Sequence, residues 1–284
     1  TSGWGANGVV LQEIMGGGGI AAVGSTTVRA VANNGQHGLL VGGDYGGTFG
    51  SAALAATMNE GARIRTAGAG ATGLLAQNIV GGGGVGALGN AIPIKFGQAQ
   101  GVVEARLGGS NSTGQANGNG ETIAAPGVVT LEIGDAILVT RGIGASALLA
   151  QSIGGGGGLA LLPAPWMSRA TLGASGGGTS YGGAIGLEMG VDAAGPSLVQ
   201  TAGNLSRGVT AQSISGGGGQ LSAPSFDADW ADSSLPVQLG ATGAATGWSD
   251  TVDVLFGGAI ATAGDHADGL AAQSIAGGGG IADF

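Results

Sequence analysis

The chain contains no cysteine, a single lysine (Lys95), two histidines (His37 and His266) and only seven prolines in 284 residues. Without thiols, neither disulfides nor cysteine chemistry can hold or drive it. Lys and Arg together number 8 against 17 acidic residues, for a net charge of −9. Clustered cations able to neutralise phosphates are therefore missing, which excludes nucleic acid as a partner and disfavours anionic membrane surfaces. No apolar run of about 18 residues escapes interruption by glycine, so no spanning helix and no membrane insertion of this segment is expected. A basic-then-apolar start is also missing. With Thr1 already inside a repeat, the chain reads as an excised or processed piece.

Glycine is what the chain has instead, at 67 of 284 residues. It does not recur at every third position, so a collagen helix is excluded. Charged residues make up only 9% and aliphatics are abundant, the opposite of a disordered composition. Each glycine inside regular structure costs roughly 0.5–1 kcal/mol relative to alanine. So many are tolerable only where the backbone needs positive φ or very close approach, as at the corners of a stacked coil.

The glycines are organised around one recurring stretch. Leu148-Leu149-Ala150-Gln151-Ser152-Ile153 runs into glycines 154–158. Leu74-Leu75-Ala76-Gln77-Asn78-Ile79, Val209-Thr210-Ala211-Gln212-Ser213-Ile214 and Leu270-Ala271-Ala272-Gln273-Ser274-Ile275 each reach a run of four glycines one residue later. A looser copy, Val9-Val10-Leu11-Gln12-Glu13-Ile14, precedes glycines 16–19. Eleven residues before the glutamine stands Thr1, Thr66, Thr140, Thr201 or Thr262, and nine before it Gly3, Gly68, Gly142, Gly203 or Gly264. Ile64, Leu138, Val199 and Ile260 lie thirteen before it. Residues 29–47 give a degenerate further copy, with Val31 in the threonine column, Asn33 in the glycine column and Gly38-Leu39-Leu40-Val41 ahead of a missing glutamine. Self-similarity at a regular spacing is the signature of a repeat architecture.

Inside the module the periodicity is that of strands. Ile64 and Thr66 alternate with Arg65 and Ala67 before Gly68 breaks the run, predicting a strand with one buried face. The aliphatics three and one before the glutamine, and the isoleucine two after it, predict a second strand with an apolar face up to the glycine corner. The expectation is an all-β, right-handed parallel β-helix, a single β-solenoid over 1–284 in imperfect repeats of about 1–50, 51–92, 93–164, 165–224 and 225–284. At about 20 residues per coil, each repeat would hold roughly three coils, about 14 in all, in a rod on the order of 65 Å long. Val128–Ile133 and Val252–Phe256 are candidate strands of the intervening coils. The segments after the glycine runs lose register and read as loops.

The pattern GxxxxGLxAQSIGGGGG, carried by residues 68–84, 142–158, 203–219 and 264–280, resembles the glycine-rich repeat of large bacterial autotransporter passengers. Ala147 departs from it where the other copies have Gly73, Gly208 and Gly269. The resemblance covers about a third of the chain directly. It implies a right-handed parallel β-helix at the cell surface, adhesive or structural, with no shared catalytic set.

Three features of the sequence could carry chemistry. Asp227, Asp229, Trp230 and Asp232, with Asp250 and Asp253 beyond, form the densest acidic group, able to act on a sugar or hold a hard cation. A solvated acidic loop is the simpler reading. Two GxSxG matches, at 173–177 and 178–182, have neither the strand nor the helix a nucleophile elbow needs. The glycine runs do not end in the GK[ST] of a phosphate loop, and residues 81–88 have no aspartate where a calcium nonapeptide needs one.

The expectation is a non-enzymatic structural or adhesive segment, extracellular or on the bacterial outer surface. Its partners would be copies of itself, end to end or side by side, or a host or cell-surface ligand. No catalytic residue, cofactor or metal is assigned. The repeat residues Gln77, Ile79, Gln151, Ile153, Gln212, Ile214, Gln273 and Ile275, with the threonines and glycines named above, are structural. The alternatives are a β-helical carbohydrate-active enzyme using Asp227, Asp229 and Asp232, and an ice- or surface-binding protein with a flat threonine face.

Overall fold

The computed structural model describes residues 1–23, 37–41, 52–88, 103–108, 127–162, 169–173, 180–191, 194–223, 237–240 and 247–283. Among the described residues every regular element is a β-strand. Five sheets run through the molecule, and neighbouring strands within each are parallel. Sheet A stacks Val9–Met15, Leu74–Val80, Leu148–Gly154, Val209–Ile214 and Leu270–Ile275. Sheet B stacks the strands that follow each glycine turn: Gly18–Val23, Gly83–Leu88, Gly157–Leu161, Gly218–Ser222 and Gly279–Asp283. Sheet C holds His37–Val41, Val103–Leu107, Arg169–Leu172 and Val237–Leu239. Sheet D holds Leu54–Met58, Val129–Ile133, Ile185–Met189 and Val252–Phe256. Sheet E holds Ala62–Thr66, Ala136–Thr140, Ser197–Ala202 and Gly258–Ala263.

The chain visits these sheets in one fixed order, E to A to B to C to D, and then returns to E one layer on. This is a β-solenoid whose coil is as long as the sequence repeat. Three coils per repeat was the wrong count: one repeat is one coil of five strands, and Val129–Ile133 and Val252–Phe256 are sheet D strands of these same coils. The five layers of sheet A span about 19 Å at the ~4.8 Å spacing of neighbouring strands, not 65 Å. The width of the coil, not the number of coils, takes up the length of the chain.

Width divides the interior into three packed regions. Leu74, Ala76, Leu148, Ala150, Val209 and Ala211 on one face of sheet A pack with Val129, Leu131 and Leu187 of sheet D and with Ile64, Leu138 and Val199 of sheet E. On its other face Leu75 and Leu149 meet Val85 and Leu159 of sheet B. The far face of sheet B, through Ala160 and Leu221, packs on Leu107, Ala170 and Leu172 of sheet C. Sheets A and B are thus inner layers, buried on both faces, while the strands of D and E alternate buried and outward positions. The sequence reading gave the glutamine strand one buried face; it has two.

Two further expectations change. Gly38-Leu39-Leu40-Val41 is not a degenerate copy of the module. It pairs with Glu104 to Leu107 in sheet C. The segments after the glycine runs are not loops at the outset either, because their first residues form sheet B.

Candidate functional site

The repeat residues form unbroken columns. Gln12, Gln77, Gln151, Gln212 and Gln273 are direct neighbours in sheet A. Each donates a side-chain N–H to the amide oxygen of the next: Gln12 to Gln77 at 2.7 Å, Gln77 to Gln151 at 2.7 Å, Gln151 to Gln212 at 2.8 Å and Gln212 to Gln273 at 2.8 Å. The three inner side chains are fully buried. Three coils per repeat would have kept these glutamines apart; with one coil per repeat they stand in successive layers. Ile79, Ile153 and Ile214, with Ile14 and Ile275, make a parallel aliphatic column of their own.

Ladders of this kind place a donor and an acceptor on each amide. An inner glutamine therefore has one lone-pair side and one N–H satisfied by its two neighbours, which is what makes burial of the group affordable.

The threonine column closes the corner between sheets E and A. Thr140 Oγ donates to the Ala145 carbonyl at 2.5 Å, Thr201 to Ser206 at 2.7 Å, and Thr66 to Ala71 at 2.5 Å. Thr66, Thr140 and Thr201 are buried, Thr1 is exposed, and Thr262, half-buried, occupies the same register in the last coil. Two residues on, the glycine column brings backbones into contact. A Cβ on Gly142 would lie 2.3 Å from the Gly68 carbonyl oxygen, one on Gly203 the same distance from that of Gly142, and one on Gly264 2.2 Å from that of Gly203. Gly68 is crowded in the same way by Gly3. No side chain fits there.

At the turn from A to B the glycine run has a different task. The amides of Gly81 and Gly82 both donate to the Met15 carbonyl, and those of Gly155 and Gly156 both donate to that of Val80. These amides bind the coil below and so are not available to cradle a phosphate. The last two glycines of each run then enter sheet B with φ between +126° and +145°, as at Gly83, Gly84, Gly279 and Gly280, an extended conformation of the hand closed to L side chains.

The polar residue after each glutamine is a tie between sheets. Asn78 Nδ2 donates to the Ala52 carbonyl at 2.8 Å. Ser152 Oγ donates to the Gly127 carbonyl at 3.2 Å and accepts from the Gly183 amide at 2.9 Å. Ser213 Oγ accepts from the Asp250 amide at 3.0 Å. Each partner lies just ahead of a sheet D strand, so this column anchors the start of sheet D on sheet A. The one available signal was that the position is always hydrogen-bonding.

Between the last two coils lies a buried ion pair that sequence reading missed. Arg207 donates from Nη2 to Asp283 Oδ1 at 2.7 Å, and from Nη1 to the other carboxylate oxygen; its Nε reaches Asp268 at 2.9 Å. Burial works to lower its proton affinity, but the hydrogen bonds and charges of Asp283 and Asp268 outweigh that and hold the guanidinium above its ordinary range. Nearby, Thr210 Oγ, Gln220 Oε1 and Ser222 Oγ are buried without a hydrogen-bond partner. Thr210 and Gln220 replace the Leu149 and Leu159 of the coil before.

Asp227, Asp229, Trp230 and Asp232 lie outside the described residues, as does Ser175 of the first GxSxG match. Ser180 of the second match is buried against the glycine corner, where it accepts a hydrogen bond from the Gly216 amide at 2.6 Å. Asp250 and Asp253 are exposed. His266 is exposed in a left-handed backbone conformation at φ 54°, and its neighbour Asp268 is taken by Arg207. Among the described residues no group of three or more His, Asp or Glu gathers in metal-binding geometry.

Comparison with protein-family models, with curated proteins and with solved structures finds no match to this chain. The functional reading therefore rests on the columns and on the likeness of the repeat sequence.

Proposed function

We propose that this chain is a rigid structural or adhesive segment of a bacterial cell-surface or extracellular protein, wound right-handed and extending by end-to-end stacking. The likeness of its repeats to autotransporter passengers supports the location. The hand is the one that parallel β-crossovers take in about 98% of cases.

One observation carries the stacking: the first and last layers repeat the same columns. Gln12 opens the ladder and Gln273 closes it as an acceptor, leaving the Gln273 N–H₂ as the donor a further coil would use. Gly3 and Gly264, Ile14 and Ile275, and the two terminal glycine runs stand in the same register. Cover is lost only at the end: Leu270 is 44% exposed, whereas Val209 and Leu148 in its column are fully buried. Contacts that join one patch to a different patch without closing a ring build filaments.

Light scattering and negative-stain electron microscopy over a concentration series test this. Fibres are expected, with an axial repeat of about 24 Å for the five sheet A layers of each copy. Ala272→Lys, which puts a charge on the exposed terminal strand, is expected to leave the fold intact and abolish the fibres. A clean monomer at high concentration defeats the stacking proposal.

A further inference from the structure

On a chain of net charge −9, three of the eight basic residues stand together on the outer face of sheet E. Arg63 and Arg65 point outward from the strand Ala62–Thr66, where their exposure alternates with the buried Ile64 and Thr66. Arg141 follows the next strand, Ala136–Thr140, and is also exposed. Among the described residues the only ion pairs are those of Arg207, and none involves Arg63, Arg65 or Arg141. Arg65 and Arg141 line one groove of about 640 Å³ with Ile137, Val139, Leu198 and Gln200; Thr1 and Ser2 border it, and the Thr1 ammonium donates to the Arg65 carbonyl at 2.9 Å. In register, Arg65 sits beside Val139 and then Gln200, and Arg63 beside Ile137 and then Leu198. The floor is thus aliphatic and half-buried, with cations at one side and an amide at the other.

Size decides what such a surface can hold. Four strands about 4.8 Å apart and about 17 Å long present roughly 320 Å². That is under half of the ~800 Å² each partner contributes to a stable protein interface. The groove volume lies instead within the ~300–1,000 Å³ of small-molecule sites. One layer and two residues separate Arg65 from Arg141, about 8 Å between their backbones, which lets two long side chains converge on one anionic group. Guanidinium groups are suited to carboxylates and sulfates, which they bind through paired hydrogen bonds. The described floor offers no aromatic ring on which a sugar would stack.

We propose that the outer face of sheet E is a binding groove for a small amphiphilic organic anion. Its carboxylate or sulfate is held between Arg65 and Arg141, its hydrocarbon body lies on Ile137, Val139 and Leu198, and Gln200 offers an amide N–H to a second acceptor. Arg63 adds long-range attraction that salt would screen. The site lies on the flank of the solenoid and is independent of any stacking at its ends.

Isothermal titration calorimetry of the whole chain at low ionic strength, with octanoate and octyl sulfate as probes and octanamide and acetate as controls, tests this. Submillimolar binding is expected for one or both octyl anions, with octanamide and acetate each at least about tenfold weaker because each keeps only half of the recognition. Whichever anion binds more tightly identifies the preferred headgroup. The Arg65→Gln, Arg141→Gln double variant is expected to lose about tenfold or more in affinity with an unchanged melting temperature, since both side chains are exposed. Leu198→Gln should weaken the octyl anions and leave acetate unaffected. Equal binding of octanoate and octanamide, an unaffected double variant, or no heat from either anion at about 10 mM overturns the proposal.

Discussion

Gln151 donates its side-chain N–H to Gln212 at 2.8 Å across 61 positions of sequence, with both side chains fully buried. That contact sets the pitch of the molecule, because it makes the next repeat the next layer. It also makes each inner glutamine answerable to two neighbours.

Replacing an inner glutamine should therefore cost far more than replacing a terminal one. Gln151→Ala strands the Gln77 N–H and the Gln212 oxygen inside the protein, each at about 1–3 kcal/mol. A loss of about 2–6 kcal/mol in denaturant unfolding is expected, against about 1 kcal/mol for Gln273→Ala at the open end.

The glycines are not equivalent, and alanine substitution should sort them. Gly142→Ala puts a methyl group 2.3 Å from a backbone oxygen that cannot swing aside, so the layers must part, at about 3 kcal/mol. Gly186 stands outward in the middle of a sheet D strand with nothing within 4 Å of its added carbon. Gly186→Ala is expected to stabilise by about 0.4–1 kcal/mol by narrowing the unfolded ensemble. Melting temperatures of the two variants should move in opposite directions.

Arg207 and Asp283 should show strong coupling in a double-mutant cycle. Removing Arg207 alone leaves a buried carboxylate without its partner, at about 3–5 kcal/mol. Removing both, as Arg207→Leu with Asp283→Leu, should recover most of that loss, since an apolar pair can replace a buried ion pair at little net change. Additive effects would show that the pair does not act as a unit.

His266 stands at φ 54° in the left-handed column that Gly5, Gly70 and Gly144 fill in the first three coils and Leu205, at φ 60°, in the fourth. An L residue there carries roughly 1–2 kcal/mol of strain, part of which glycine returns as chain entropy. His266→Gly should raise stability by up to about 1 kcal/mol, and His266→Val, branched at Cβ, should lower it. A thermal-shift series at this one exposed position is sufficient.

Much of the fold was legible because its repeated parts are the ones under backbone constraint. Gly68, Gly142, Gly203 and Gly264 sit where another residue cannot fit, so they stand out in the sequence. Sheet C was hard to read because its signal is short. Its strands Val103–Leu107, Arg169–Leu172 and Val237–Leu239 share only the Leu-Gly step that closes each one, with Gly108, Gly173 and Gly240 at φ between +120° and +140°, and two residues do not stand out in a chain this rich in glycine. With those strands unseen, 61 residues appeared to need several coils. The buried glutamine was misplaced by the same step: a polar residue on an inner face is intelligible only once its partner is known to lie one layer away. Arg207 gave no warning, since its carboxylates lie 61 and 76 positions downstream.

Successive coils take 65, 74, 61 and 61 residues from glutamine to glutamine, yet every column keeps its register. The difference in length is absorbed between the columns. A duplication or deletion of one whole coil in the gene, whatever its residue count, would thus change the reach of the protein by a fixed increment of about 4.8 Å and leave every seam aligned. For this architecture, unequal recombination would act as a ruler.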